Sequence, residues 1–261
     1  MSDAYDLDAG PDPAAVAAAE PEPESVTADP VYAVGIGPGN PEYLTPRGER
    51  AIREADVVVG FETVVDFVRG TTDADLLTCG YRDEGETLAT FAARVADGER
   101  GTAALMGDPN HSGYQFVGKV QAAVDPPVRV IPGISSLQVA ASRARTPMEG
   151  TDFVTLHRSG DIGDDRRRLR AAVGERHLLV LPRPFDWMPE DVAADLLAAG
   201  ASPSLDALVM ERLTHDDETV TRTTLGDLAA LETESDDGTS PFSDLSVLAV
   251  RSGRTTSPKR I

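Results

Sequence analysis

The chain has 261 residues, enough for one large or two medium domains, each with a real apolar core. Its formal net charge is −20, from 44 acidic against 24 basic residues, a field that repels nucleic acid and anionic membranes because both need a basic footprint. Apolar runs such as 178–181 and 247–250 are far too short to span a bilayer, the first residues lack the basic-then-apolar order of a secretory signal, and the single cysteine, Cys79, excludes an internal disulfide, so a cytoplasmic location is expected.

Residues 1–29 are mostly Ala, Pro, Glu and Asp, a composition that cannot offset the entropy of ordering, and are expected to form an unstructured acidic tail. An N-terminal α/β domain is expected over 30–146. Short β-branched runs at 31–36, 56–60, 75–79, 102–106 and 128–131 alternate there with helical patterns at 46–55, 86–97, 112–123 and 135–144. This alternation argues for a parallel sheet with helices on both faces. Arg145-Thr-Pro-Met-Glu-Gly150 reads as a hinge. A C-terminal α/β domain follows over 150–251, with strand-like runs at 153–156, 178–181, 207–210 and 245–250 and helices near 164–173, 189–199 and 225–231. Glu232 to Pro241 reads as an acidic surface loop, and 252–261 as a flexible tail.

Four strand ends are rich in glycine or proline: Gly35-Ile-Gly-Pro-Gly-Asn-Pro41, Gly107-Asp-Pro-Asn-His-Ser-Gly113, Ile131-Pro-Gly-Ile-Ser-Ser136 and Leu181-Pro-Arg-Pro184. Ligands of parallel sheets bind at the carboxyl ends of strands, where such loops converge. The first loop is not a dinucleotide fingerprint: Asn40 occupies the third glycine's place, and Pro41 prevents a helix from starting in the turn. Two readings of it stay open, a backbone cradle for a flat, mostly uncharged ligand and a plain strand-to-helix turn. Ser135 and Ser136 suit a helix start, either as caps or as donors to a ligand. Asp108 could accept hydrogen bonds from a ribose or an amine.

Gly113-Tyr-Gln-Phe-Val-Gly-Lys-Val120 falls one residue short of a phosphate-binding loop, since Val120 replaces the magnesium-binding hydroxyl. Tyr114, Phe116 and Val117 fit a buried helix face instead. The four histidines are scattered, no Cys/His cluster has zinc spacing, and no metal is expected. Cys79 is expected to pack rather than to attack. Arg166-Arg-Arg168 lies amid Asp164 and Asp165 and reads as a solvated helix face.

Taken in order, these segments resemble the tetrapyrrole methylase family, which transfers methyl groups from S-adenosylmethionine to corrin precursors. The resemblance covers about residues 31 to 250. It is carried by Val34-Gly-Ile-Gly-Pro-Gly-Asn-Pro41, Leu44-Thr45, Ala55-Asp-Val-Val-Val-Gly60, Gly107-Asp-Pro109 and Ile131-Pro-Gly-Ile-Ser-Ser136. Within the family, Phe153-Val-Thr-Leu-His-Arg158, Met210-Glu-Arg-Leu-Thr-His-Asp-Asp-Glu218 and Phe242-Ser-Asp-Leu-Ser-Val-Leu-Ala-Val250 look like the cobalt-precorrin-7 C5-methyltransferases. Gly60-Phe61 stands where the uroporphyrinogen-methylating relatives carry Tyr-Asp.

The resemblance implies two α/β domains with the cofactor in the cleft between them and S-adenosylhomocysteine as product. By position, the cofactor would meet Pro38, Met106, Gly107, Asp108, His111, Ser135 and Ser136, with Leu181, Pro182 and Leu213 closing the site. His111 departs from the apolar or aromatic residue that relatives more often carry. The acceptor bears many carboxylates, for which Arg82, Arg158, Arg183 and Arg212, all after strand ends, are the expected partners. Glu211, His157 and Asp108 are the nearest candidates for a base, and the sequence selects none. Relatives are usually homodimers. The C15-methylating decarboxylase that is fused to the C5 enzyme in some organisms is expected here as a separate chain. The alternatives are a same-fold methyltransferase with another acceptor (a different precorrin carbon, or a diphthamide precursor on a protein) and a cofactor-binding module without catalysis.

Only Lys119 and Lys259 are lysines; the other basic residues are arginine. Together with the acidity, this matches proteins adapted to high salt. Folding stability is therefore expected to rise between dilute and multimolar salt, as read by chemical denaturation; equal stability in both would refute the halophilic reading.

Overall fold

The computed structural model describes residues 15–17, 29–80, 82–111, 113–158, 160–184, 186–234 and 239–253. The chain divides into two compact units, 1–135 and 136–261. The hinge expected at Arg145–Gly150 lies beyond that division.

The first unit holds β1 (Val31–Gly35), α1 (Pro46–Arg53), β2 (Val57–Phe61), α2 (Glu62–Val68), β3 (Asp75–Cys79), α3 (Glu84–Ala96), β4 (Gly101–Leu105), α4 (Tyr114–Ala123) and β5 (Val128–Ile131). Its strands are all parallel, in the order β3-β2-β4-β1-β5. Successive strand residues face opposite sides, so Val57 and Val59 pack with Phe91, Phe116 and Val120 of α3 and α4. Val58, between them, joins Ile52, Val64 and Val68 of α1 and α2. Both faces are buried, as an all-parallel sheet requires.

The α-helix after β1 is delayed to Pro46, but Pro41 does not keep the turn free of helix: at the first helical position its missing N–H costs nothing, and a short 3-10 helix starts there. Asn40 caps a single 3-10 turn at Pro41–Tyr43 by accepting the Glu42 N–H at 2.9 Å. α1 then starts at Pro46, with Thr45 Oγ1 accepting the Gly48 N–H. α2 lies outside the helical patterns expected from the sequence, and its Glu-Thr-Val-Val-Asp-Phe-Val is rich in the β-branched residues that favour strands. It is helical because Val64, Val65 and Val68 are buried together on one side. The near-phosphate-loop segment is α4, with Phe116 and Val117 buried and Lys119 paired to the fully buried Glu84. Cys79 is buried in the core beside Val57, Val59 and Leu88, and burial pushes its thiol up to about 12, with Glu84 adding to this.

The second unit holds α5 (Ser136–Ala144), β6 (Thr151–Thr155), α6 (Gly163–Ala172), β7 (His177–Leu181), α7 (Pro189–Ala198), β8 (Asp206–Glu211), β9 (Thr219–Thr224), α8 (Leu225–Glu234) and β10 (Ser246–Val250). The order is β6-β7-β10-β8-β9. β6 and β7 are parallel, β10 is antiparallel to both β7 and β8, and β8 and β9 are antiparallel. β9 escaped the sequence reading because Thr-Val-Thr-Arg-Thr-Thr carries one apolar residue; it is a polar edge strand. α5 packs on β7 and β10, and α7 packs on α8.

Most of the expected acidic tail lies outside the described residues. Ala15–Ala17 are helical, with Ala17 buried and its carbonyl accepting the Tyr114 hydroxyl at 3.0 Å. Residues 235–238 of the expected acidic loop, and 254–261 of the expected C-terminal tail, also lie outside them. Ser252 and Gly253 of that tail are anchored through their N–H groups to His177 Nδ1 and the Gly174 carbonyl.

Arg166 corrects the solvated-face reading of α6. It bonds Asp195 of α7 at 2.5 Å and stacks over the Trp187 ring at 4.1 Å, while Arg170 takes the same carboxylate. Arg167 and Arg168 remain exposed. Burial raises the Asp195 pKa, but the hydrogen bonds of Arg170 and Arg166 outweigh it and the net shift is downward. A depressed carboxylate contributes stability above its unfolded value of about 3.9 and loses it as pH falls through the folded value. The stability gap between wild type and Asp195→Asn should therefore be full at neutral pH and close below about pH 4, as read from urea midpoints across pH.

Candidate functional site

In the first unit, the loops leaving β1, β4 and β5 meet backbone to backbone. A Cβ on Gly133 would overlap the Gly107 carbonyl oxygen and stand 2.6 Å from that of Gly35. No side chain fits between these turns, so the three strand ends stay in register. Gly37 and Gly107 extend the contact as a two-residue bridge, with Gly107 N–H donating to the Gly37 carbonyl at 2.8 Å. Gly107 itself has φ +66, which a side chain would strain. A Cβ there would have nothing nearer than Ser135 Cα at 3.8 Å and the Ile134 carbonyl oxygen at 4.0 Å. The space between the β4 and β5 loops is thus lined by main chain and left open by the missing side chain.

Asp108 closes the cluster. It is 6% exposed, and its carboxylate accepts the Asn110 N–H at 2.9 Å on one oxygen and the Gly133 N–H at 3.0 Å on the other. The residue expected to meet a ribose or an amine therefore works first as the tie between two loops. Pro38 and Ser135 are buried in the same loop group, and Met106 is half-buried against the α1 and α2 face. His111 lies at the exposed end of the loop, with Nδ1 3.9 Å from Asp108. Arg82 stands apart: it is exposed after β3, the edge strand, with β2 between β3 and β4.

In the second unit, β6, β7 and β8 run the same way, because β10 is antiparallel to the last two. Arg158, Leu181, Pro182, Arg183, Arg212 and Leu213 consequently leave one edge of that sheet. Pro182 and Leu213 are buried and Leu181 is half-buried, while Ser136 opens α5. The three arginines are already engaged. Arg158 holds Asp165 and the Asp161 carbonyl, Arg183 holds Asp186 and the Gly160 carbonyl, and Arg212 holds Asp217 at 2.6 Å. The Asp217 carboxyl lies below its ordinary value because of Arg212. Arg82 makes no ion pair among the described residues.

Of the candidate bases, Glu211 accepts the Ser243 N–H at 2.8 Å and faces the Thr219 hydroxyl, tying β8 to the segment before β10. His157 is exposed just after β6. The sequence reading missed the ion pair of Arg143 with Glu218, which lie 75 residues apart, and no local pattern announces it. Among the described residues, no group of three or more His, Cys, Asp or Glu could hold a metal ion, and no helix is long and apolar enough to cross a membrane.

Replacing Asp108 by Asn puts an amide N–H₂ opposite one of two backbone donors and leaves a donor unsatisfied. The expected loss is about 1–3 kcal/mol of stability, with Asp108→Ala, which loses both bonds, at the upper end; denaturant unfolding measures both.

Residues 30–229 match the family described as Tetrapyrrole (Corrin/Porphyrin) Methylases. The probable cobalt-precorrin-7 C(5)-methyltransferase of Methanocaldococcus jannaschii is 28% identical over 199 residues, which are 76% of this chain and 91% of that protein. The cobalt-precorrin-4 C(11)-methyltransferase of the same organism is 24% identical, over 76% of this chain and 80% of its own length. Among solved structures, the uroporphyrin-III C-methyl transferase from Thermus thermophilus, complexed with S-adenyl homocysteine, shares the fold. Its TM-score is 0.64 at 22% identity, over 85% of this chain and 92% of that one.

Proposed function

Because this chain belongs to the tetrapyrrole (corrin/porphyrin) methylases, a family that uses S-adenosylmethionine, we propose that it methylates C5 of a cobalt-precorrin-7-like corrin precursor. The observation that carries this reading is the relative from M. jannaschii, matched over nine-tenths of its length. The segments 153–158, 210–218 and 242–250 support the same acceptor. A second acceptor, C11 of an earlier corrin intermediate, is favoured by the lower-identity match. On the same reading the protein works as a cytoplasmic homodimer.

S-adenosylmethionine supplies an electrophilic methyl group on a sulfonium, so the protein's task is alignment of donor and acceptor. The open, main-chain-lined space at Gly107, Ile134 and Ser135 fits such a donor, whose nucleoside needs close backbone approach and neutral hydrogen-bond partners. The proposed donor contacts are Pro38, Met106 and His111 of the first unit and Ser136, Leu181, Pro182 and Leu213 of the second, as the family resemblance implies. Asp108 serves by holding the β4 and β5 loops at their spacing.

Acceptor carboxylates would compete with Asp165, Asp186 and Asp217 for Arg158, Arg183 and Arg212, while Arg82 has no such competitor among the described residues. An arginine held in advance by a carboxylate loses less side-chain entropy when it exchanges that partner for another.

Calorimetric titration with S-adenosylhomocysteine in concentrated salt tests the donor site. One-site binding is expected, weakened about tenfold by Ser135→Ala, the equivalent of one lost hydrogen bond. A folded wild-type protein that binds no S-adenosylhomocysteine would sink the methyltransferase reading. Turnover of the C11 acceptor in preference to the C5 acceptor would replace the substrate.

A further inference from the structure

The connection between β8 and β9 carries three features that joining two antiparallel strands does not require. Arg212 and Thr214 both adopt left-handed backbone, at φ 49 and φ 72, a conformation that glycine or asparagine fills in ordinary turns and that a β-branched threonine avoids. The Thr214 hydroxyl is buried without a hydrogen-bond partner among the described residues. Leu213, between the two strained residues, is 3% exposed. Two strained residues in a row of three persist only where the surroundings over-determine the backbone.

Glu218 supplies that constraint. One carboxylate oxygen accepts the Thr214 N–H at 2.8 Å, closing the turn, and the other accepts Arg143 Nε at 2.9 Å. Arg143 lies in the last turn of α5, which packs on β7 and β10. The turn is therefore fixed to a helix on the sheet's central strands as well as to its own hairpin. The Arg143 guanidinium holds the Glu218 carboxyl below its ordinary value, so the tie stays charged through neutral pH. A hairpin that needed only to be closed would place glycine at 212 or 214 and have no use for a partner 75 residues away.

We propose that Glu218, anchored by Arg143, is a positioning residue that sets the strained 212–214 turn so that Leu213 is presented to the methyl donor. This rests on the reading above that Leu213 meets the donor. The leucine would supply a fixed apolar surface, and the strain would be the cost of holding that surface in one place before the donor arrives.

The test is calorimetric titration of S-adenosylhomocysteine into the full chain carrying Glu218→Ala, Arg143→Ala, both together, Glu218→Gln or Leu213→Ala, with thermal unfolding recorded for each. Each of the two single alanine changes at the tie should raise Kd about tenfold, and the double variant should be no weaker than either, because one tie is lost in all three. Glu218→Gln keeps an acceptor for the Thr214 N–H and should recover part of the affinity, which also covers an alanine variant that fails to fold. In turnover, the donor KM should rise while kcat at saturating donor stays within about twofold of wild type, since only donor binding is affected. Lowered melting temperatures with unchanged Kd would show a purely structural tie and overturn the proposal. Weaker binding in Leu213→Ala with unchanged binding in the folded Glu218 and Arg143 variants would overturn this inference and leave the donor reading intact. Unchanged binding in Leu213→Ala would overturn both.

Discussion

The first unit depends on one contact, the meeting of three main chains at Gly35, Gly107 and Gly133. Side chains normally hold the strand-end loops of a parallel sheet apart. Their absence here lets the loops of β1, β4 and β5 share one level, and Asp108 fixes that level through two backbone N–H groups. The open space beside Ser135 follows from the same economy, since it exists where Gly107 carries no side chain. The Asn40 cap and the start of α1 at Pro46 keep the first helix clear of the turn.

Charge is organised around a second constraint. A chain with 44 carboxylates has few arginines that can stay free. The pairs Arg158–Asp165, Arg183–Asp186 and Arg212–Asp217 show the result at one edge of the second sheet. Most such pairs are partly exposed and contribute little to stability. Arg166 and Arg170 on Asp195 differ, because the shared carboxylate is almost fully covered and the aromatic ring of Trp187 takes one face of a guanidinium. Local neutralisation lets an acidic surface keep ordered cations near strand ends, where an anionic ligand could exchange with their partners.

The second sheet departs from a parallel plan at β10. That strand is buried along its whole length and is antiparallel to both neighbours, so it joins β7 to β8 at the centre of the sheet. Its insertion makes β6, β7 and β8 point the same way and sends their following loops to one edge. The strained turn after β8 is anchored from α5, which rests on β7 and β10. The order of strands therefore places Arg143 near Glu218.

The sequence by itself determined the α/β class, nearly every strand and helix, and the loops that leave β1, β4, β5 and β7. Hydrophobic period and glycine or proline punctuation are local signals, and they suffice for elements and turns. It also determined that Gly113–Val120 is a helix rather than a phosphate loop, because Phe116 and Val117 mark a buried face. Local signals failed where burial came from elsewhere. α2 carries no helical pattern strong enough to expect it and is helical because its valines are packed, and polar β9 gains its place by pairing with β8. Ala17, within a segment whose composition argues against order, is held by Tyr114 from far along the chain. Tertiary structure alone decided that Asp108 ties two loops, that three expected arginines are already paired, and that Arg143 reaches Glu218. Each of these depends on which strands lie side by side, and residues distant in the chain acquire a partner only when the sheet order brings them within a hydrogen bond's reach.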